Sequence, residues 1–298
     1  MSAVAHTTAF LRLVKVEHSV FALPFAYLAA LTVMFTQAEA GTGFLASIQW
    51  GVLGLITVAM VAGRTFAMAA NRVVDRHVDA RNPRTWSREL VTGLVSLRTA
   101  HVGSAVSLVV FFAAAAALNP LCLVLSPLAV VPMIVYPYGK RFTDFPHAIL
   151  ALAQTVAPVG AWLAVTGTFE GSLPAIVLGV AVGLWIGGFD LIYACQDTEI
   201  DREIGVRSFP ARFGIAAALH TSTLSHVVTF ALFTWFGVLA GFGVWFWIGL
   251  AITAVVFIYE HAIVKPDDLS RANRAFFTAN GIVGIVLFAF AVLDLLLR

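Results

Sequence analysis

The chain has 298 residues, of which 60% are hydrophobic and only 11% charged, with a net charge of +2 and a mean hydropathy of +0.92. Soluble domains carry roughly 25% charged residues, so this composition excludes an ordinary water-soluble globule. A near-neutral balance also argues against a nucleic-acid partner and leaves the lipid bilayer as the expected solvent.

Crossing the hydrocarbon takes about 20 apolar residues per helix. Nine such runs follow one another: 19–38, 46–70, 99–118, 121–137, 146–166, 173–194, 215–239, 243–263 and 276–296. Several contain Gly and Pro, which membrane helices tolerate when neighbouring helices satisfy the freed backbone groups. The expectation is an all-α polytopic membrane protein: a single domain over residues 1–298, with nine transmembrane helices in one bundle around a central cavity. The first run, preceded by Glu17 and by no cleavable signal pattern, reads as a retained helix. Cys122 falls near the outer end of the fourth run and Cys195 near the inner end of the sixth, so no disulfide is expected between them.

Seventeen of the eighteen basic residues lie in the N-terminal segment or in the loops after even-numbered runs, leaving Arg298 alone on the other side. The positive-inside rule makes that basic side cytoplasmic, with the N-terminus on it and the C-terminus outside, in a cell's inner (plasma) membrane. The cavity is expected to open toward this cytoplasmic face.

Two of those loops are also acidic. "NRVVDRHVDARNPRT" (residues 71–85) follows the second run, and "DLIYACQDTEIDREIGVRSFPARFG" (190–214) follows the sixth. Each contains Asp-x-x-x-Asp, as Asp75/Asp79 and Asp197/Asp201, which hints at a pseudo-repeat of four-helix units with a ninth helix added. Aspartates at i and i+4 share a helix face and repel without a cation. Hard oxygen donors suit Mg²⁺, and Asn71, four residues before Asp75, adds another oxygen to the same face. The sequence shows no Cys or His cluster of the zinc type; His77 reads as a solvated loop residue, and Glu260 and His261 have no evident role. One such aspartate pair is usually a solvated surface feature. Two, both ending even-numbered runs and both interleaved with arginines, point to a shared site at the cytoplasmic interface. Facing metal–carboxylate clusters would clamp a diphosphate, with arginines and Lys140 on its remaining oxygens. Behind them lies an apolar bundle, so a substrate with a diphosphate head and a long apolar tail fits, and a polyprenyl diphosphate is the obvious candidate.

The pattern resembles the UbiA-type membrane prenyltransferase superfamily over nearly the whole chain. Its first motif, N-x-x-x-D-x-x-x-D, matches Asn71, Asp75 and Asp79; its second, D-x-x-Y-A-x-x-D-x-x-x-D-x-x-x-G-x-x-S, matches Asp190, Tyr193, Ala194, Asp197, Asp201, Gly205 and Ser208. "YPYGKRFT" (136–143) is similar to the family's loop after the fourth span. "VEHSVFALPFAYLAAL" and "RSFPARFG" are similar to the branch of 4-hydroxybenzoate polyprenyltransferase-like and menaquinone-pathway enzymes. Two positions depart from it: "RELVTG" (88–93) stands where many relatives read Arg-Pro-Leu-Pro-x-Gly, and Arg207 stands where many have Lys.

The resemblance implies transfer of a polyprenyl group to a hydroxylated aromatic acid, either 4-hydroxybenzoate or a dihydroxynaphthoate, in quinone biosynthesis. The implied ligands of Mg²⁺ are Asn71, Asp75, Asp79, Asp197 and Asp201, and the implied diphosphate-binding residues are Arg64, Arg76, Lys140, Arg141, Arg202, Arg207 and Ser208. Arg64, two turns below Asn71 on the same face, either lines a polar cavity or snorkels to the interface. Asp190, seven residues before Asp197, is the implied proton acceptor, or else makes a structural hydrogen bond to Tyr193 or a neighbouring helix. Tyr193 stabilises a carbocation through its ring face or packs. A transporter using intramembrane carboxylates remains the non-enzyme alternative, and haem, chlorophyll or tocopherol precursors remain alternative acceptors. CDP-alcohol phosphotransferases are excluded because no Asp-Gly-x-x-Ala-Arg run is present. Prenyl chain length is expected to follow tunnel depth, and nothing in the sequence sets the oligomeric state.

Overall fold

The computed structural model describes Leu13 and residues 22–298. The start of the first expected span, with Arg12, Lys15 and Glu17, lies outside the described residues. Among those described, nine main helices follow in order: α1 (Leu23–Thr36), α2 (Trp50–Asp79), α3 (Leu97–Leu118), α4 (Pro120–Phe142), α5 (Pro146–Thr166), α6 (Leu173–Ala194), α7 (Ile215–Leu239), α8 (Val244–Ile263) and α9 (Asn280–Leu296). Eight helical stretches, α2 to α8 and Ala272–Leu296, which ends in α9, are long and apolar enough to cross a membrane; α1 is a shorter apolar helix of 14 residues. No strand occurs among the described residues beyond an isolated Lys265–Asp268 bridge.

Side-chain chemistry marks the helix ends. Ser96 caps α3 by accepting from Thr99 N at 3.0 Å, and Asn119 caps α4 by accepting from Cys122 N at 2.9 Å. Proline occupies the first turns of α1, α4, α5 and α6, where its missing N–H would have had no partner in the helix anyway. α4 also carries Pro127, Pro132 and Pro137 in its interior, as membrane helices permit. The expected spans 146–166, 173–194 and 215–239 coincide with α5, α6 and α7. α2 differs: it runs on nine residues past its apolar stretch. At 1.5 Å per residue its 30 residues reach about 45 Å, well beyond hydrocarbon about 30 Å thick. The first acidic motif is therefore the emergent end of a spanning helix.

α6 is the central element, packed between α5 and α7. A Cβ at Gly183 would lie 2.5 Å from both Ala151 O and Thr155 Oγ1 of α5, so glycine lets the two backbones meet, the close approach that holds membrane helices together where lipid is as apolar as the side chains. Phe25 of α1, Trp185 of α6 and Phe233 of α7 form the aromatic centre, with ring centroids 5.1 and 5.6 Å from Phe25. The outer surface is apolar: Val124, Ile258 and Val109 are each about 70% exposed, an arrangement stable against lipid tails and costly in water.

Candidate active site

The two acidic motifs meet at one end of the bundle. Asn71, Asp75 and Asp79 lie at i, i+4 and i+8 on continuous helix, and both aspartates are buried. Asn71 Nδ2 reaches Asp75 Oδ2 at 3.4 Å, and Lys140, from the last turn of α4, donates to the same oxygen at 2.9 Å. Arg88 donates to Asp79 Oδ1 at 2.5 Å.

The second motif has a different backbone. α6 ends at Ala194, a 3-10 turn covers Cys195–Asp197, and a short helix Thr198–Ile204 stops at Gly205 with φ +75°. Asp197 accepts from Asn82 Nδ2 at 3.0 Å and forms a two-pronged ion pair with Arg84, whose Nε lies 2.9 Å from Oδ1 and whose second prong reaches Oδ2. Asp201 accepts from Ser208 Oγ at 2.8 Å. Arg84 also donates to Tyr193 Oη at 2.5 Å. Burial works to lower the Arg84 pKa, but the hydrogen bond and charge of Asp197, with Tyr193, prevail and hold it above its ordinary value. Arg84 and Asn82 thus come from the loop directly after the first motif and grip the second. Lys140 lies within electrostatic reach of Asp75, Asp79, Asp197 and Asp201.

Directly below is a cavity of about 560 Å³, within the range of small-molecule sites. Its polar end is lined by Arg64, Asn71, Arg72, Arg88, Asp190 and Tyr193, and its remainder by apolar side chains such as Ile56, Phe111 and Met133. Arg64 therefore faces the cavity, and Arg72 is buried beside it. Leu128 and Leu152 line the cavity too, yet are 67% and 61% exposed, so the apolar part opens through the side of the bundle. Asp190 does not bond to Tyr193; its partner is His147 Nδ1 of α5, at 2.6 Å. An ionised carboxylate only accepts, so Nδ1 carries the proton. Nε2 of His147 is buried and without a hydrogen-bond partner. The Tyr193 ring packs on Phe276, with centroids 4.3 Å apart.

Other basic residues singled out in the sequence take different places. Arg141 donates to Val74 O at 2.8 Å and lies over Tyr138. Arg202 donates to Ala211 O and Pro210 O, and Arg207 to Phe142 O at 2.9 Å. These three brace loops through backbone carbonyls. Arg76 is half-buried at the end of α2, and His77 is exposed. Sequence reasoning missed Asn82, Arg84, Arg88 and His147. Arg84 and Arg88 are absorbed into the topology signal and Asn82 carries no charge, although Asn82-Pro83 is itself a turn signature, with Asn82 Oδ1 accepting from Arg84 N at 2.8 Å.

The donor set of the two motifs, four carboxylates and one amide with no sulfur or ring nitrogen among them, fits a hard divalent cation such as Mg²⁺. The surrounding guanidinium and ammonium groups suit phosphate oxygens. Together with the apolar cavity, the arrangement can hold a charged head at the surface and a greasy tail within.

The sequence profile of the UbiA prenyltransferase family matches residues 28–282. The 4-hydroxybenzoate octaprenyltransferase of Aromatoleum aromaticum is 34% identical over 249 residues, 82% of this chain and 80% of that protein. The enzyme of the same name from Chromohalobacter salexigens is 29% identical over 245 residues, 82% of this chain and 81% of that protein. Among solved structures, the apo form of a UbiA homologue from Aeropyrum pernix K1 has a TM-score of 0.82 at 33% identity, over 94% of this chain and 98% of that one. A UbiA homologue from Archaeoglobus fulgidus bound to GPP and Mg²⁺ has a TM-score of 0.70 at 21% identity, over 97% and 100% of the two chains, a likeness of fold.

Proposed function

Because the chain belongs to the UbiA prenyltransferase family, we propose that it is an aromatic prenyltransferase of the membrane, moving a polyprenyl group from its diphosphate to a hydroxylated aromatic acid for quinone biosynthesis. The observation that carries this reading is the grip of Arg84 and Asn82, from beside the first acidic motif, on Asp197 of the second, at the polar end of an apolar cavity.

Asn71, Asp75, Asp79, Asp197 and Asp201 would hold Mg²⁺, which supplies charge neutralisation to a leaving diphosphate. Lys140, Arg84, Arg88 and Arg72 add fixed positive charge around the same oxygens, where pre-positioned charge is most effective. Cleavage of the allylic C–O bond leaves both electrons on the diphosphate and a cation on the prenyl carbon. The apolar walls keep water from that carbon, and the rings of Tyr193 and Phe276 lie at the junction of head and tail. An aromatic carbon activated by its hydroxyl attacks, a C–C bond forms, and the displaced ring proton must leave. Asp190 faces the cavity and is backed by His147, so the pair is the proton acceptor. 4-Hydroxybenzoate and a dihydroxynaphthoate are the two acceptors of this chemistry, supported by the names of the curated relatives and by the branch similarity respectively. The charge asymmetry supports an inner-membrane protein whose acidic end faces the cytoplasm.

The test is pyrophosphate release by purified protein given Mg²⁺, a prenyl diphosphate, and 4-hydroxybenzoate or 1,4-dihydroxy-6-naphthoate in separate reactions, with Asp75→Ala and Asp197→Ala alongside. Turnover that requires Mg²⁺ and both aspartates is the expected result, and the preferred acceptor identifies the pathway. A folded sample that binds no prenyl diphosphate in the presence of Mg²⁺ would sink the reading and favour a transporter.

A further inference from the structure

A second polar cluster lies inside the bundle, on side chains that do not line the cavity. His226 of α7 and Glu260 and His261 of α8 bring one ligand atom each within 4.8 Å of one another. Glu260 is fully buried and His226 is 2% exposed. A carboxylate is costly to bury in an apolar bundle without a partner, so the donors and acceptors of this cluster can be counted one by one.

His226 Nε2 sits 3.1 Å from the Trp185 carbonyl of α6. A carbonyl only accepts, so Nε2 carries the proton and Nδ1 the lone pair. His261 Nδ1 lies 3.1 Å from Thr223 Oγ1, whose hydroxyl proton already goes to Leu219 O at 3.0 Å. With that hydroxyl accepting here, His261 Nδ1 carries the proton and Nε2 the lone pair. The two bare nitrogens then face each other at 2.9 Å. Glu260 Oε1 accepts from Asn280 Nδ2 at 2.7 Å, and Asn280 Oδ1 accepts in turn from Trp185 Nε1 at 2.6 Å. Glu260 Oε2 is left 3.4 Å from His226 Nδ1 with no hydrogen-bond partner.

In this arrangement His226 Nδ1, His261 Nε2 and Glu260 Oε2 face one another with no donor from any other residue among them. One proton, on the imidazole pair or on Glu260, joins two of the three atoms, whereas a metal ion draws on all three. Bonds of about 2.0–2.1 Å from a tetrahedral zinc put ligand atoms roughly 3.3 Å apart, close to the 2.9 and 3.4 Å found here. Each ligand residue is also held by an outer partner through its other polar atom, the arrangement that orients metal ligands. Gly188 makes room for it: a Cβ there would come 2.6 Å from His226 Nε2.

We propose that His226, Glu260 and His261 form a binding site for a divalent transition metal of the zinc class, separate from the acidic motifs. Two imidazoles and a carboxylate prefer such an ion to Mg²⁺. With ligands on α7 and α8 and outer partners on α6 and α9, the ion ties four helices together, so its binding energy adds to the stability of the fold.

The experiment uses the full chain in detergent, with Asp75→Asn and Asp197→Asn introduced so that the oxygen-donor motifs take up less metal. After removal of metal by chelator, the protein is loaded with Zn²⁺ or Co²⁺ and dialysed against excess Mg²⁺. One equivalent per chain is expected to remain, the Co²⁺ form showing the strong visible bands of four-coordination and X-ray absorption showing imidazole nitrogens in the first shell. Glu260→Gln and His261→Asn are expected to weaken retention by at least about 100-fold. No retained metal, an oxygen-only first shell, or unchanged retention in both folded variants overturns the proposal. The X-ray absorption measurement needs neither ligand variant, so failure of those variants to fold leaves the test intact.

Discussion

The two acidic motifs have the same spacing in sequence and different backbones in space. Asp75 and Asp79 stand on the last turns of a 30-residue helix that begins in the apolar bundle. Asp197 and Asp201 stand on a 3-10 turn and a seven-residue helix that starts only after α6 has ended. The first pair is buried against side chains of α4 and of the loop at 88, so its positions follow from rigid elements. The second is held from outside, by Arg84, Asn82 and Ser208. One half of the site is thus a fixed jaw and the other a jaw held in place by a loop.

The strongest way to break this comparison is at the fixed jaw. Asp75→Ala removes a carboxylate and leaves the Lys140 ammonium without its partner; a fall in kcat/KM of about 10³-fold or more is expected in pyrophosphate-release kinetics. Lengthening sharpens the contrast. Asp75→Glu pushes a carboxylate into a position that the helix cannot vacate and is expected to cost about 10²-fold, whereas Asp197→Glu on the broken segment costs less than about tenfold. Equal losses in a Mg²⁺ titration of the two variants would mean that the jaws are equally rigid. Arg84→Lys keeps the charge but loses the two-pronged contact to Asp197, and about a tenfold rise in the Mg²⁺ concentration needed for half-maximal rate is expected. The smallest effect is at Ser208→Ala, which removes one hydrogen bond from Asp201; a net contribution of about 1 kcal/mol corresponds to roughly a fivefold loss in kcat/KM.

Hydropathy made the spans legible because lipid imposes it along every exposed face; α5, α6 and α7 begin and end where their apolar runs do. The end of α2 was not legible in the same way, since apolar character stops at the edge of the hydrocarbon while the backbone hydrogen bonds run on to Asp79. The paired aspartates were legible through their spacing, but their partners were not. Arg84 and Asp197 are more than a hundred positions apart, and in a basic loop an arginine is already accounted for by the charge bias between the two sides of the membrane. The same ambiguity works in reverse at Arg141, Arg202 and Arg207, whose charges looked like phosphate ligands and whose N–H groups bond to backbone carbonyls. His147 carried no signal beyond following a proline at a helix start. His226 and His261 sit on different helices 35 positions apart, so only tertiary packing brings them to 2.9 Å. Composition could not foresee that.

The side opening of the cavity beside Leu128 and Leu152 has a consequence for what such a protein measures. Each methylene kept out of water is worth about 0.8 kcal/mol, so a tail of tens of carbons does not pass through water on its way between the bilayer and an apolar cavity. On the proposed function, whatever part of a polyprenyl tail exceeds the cavity of about 560 Å³ can stay in the sheet of lipid through this opening. The expectation that tunnel depth sets prenyl chain length gives way, on that function, to a cavity whose open side sets no upper limit on the tail.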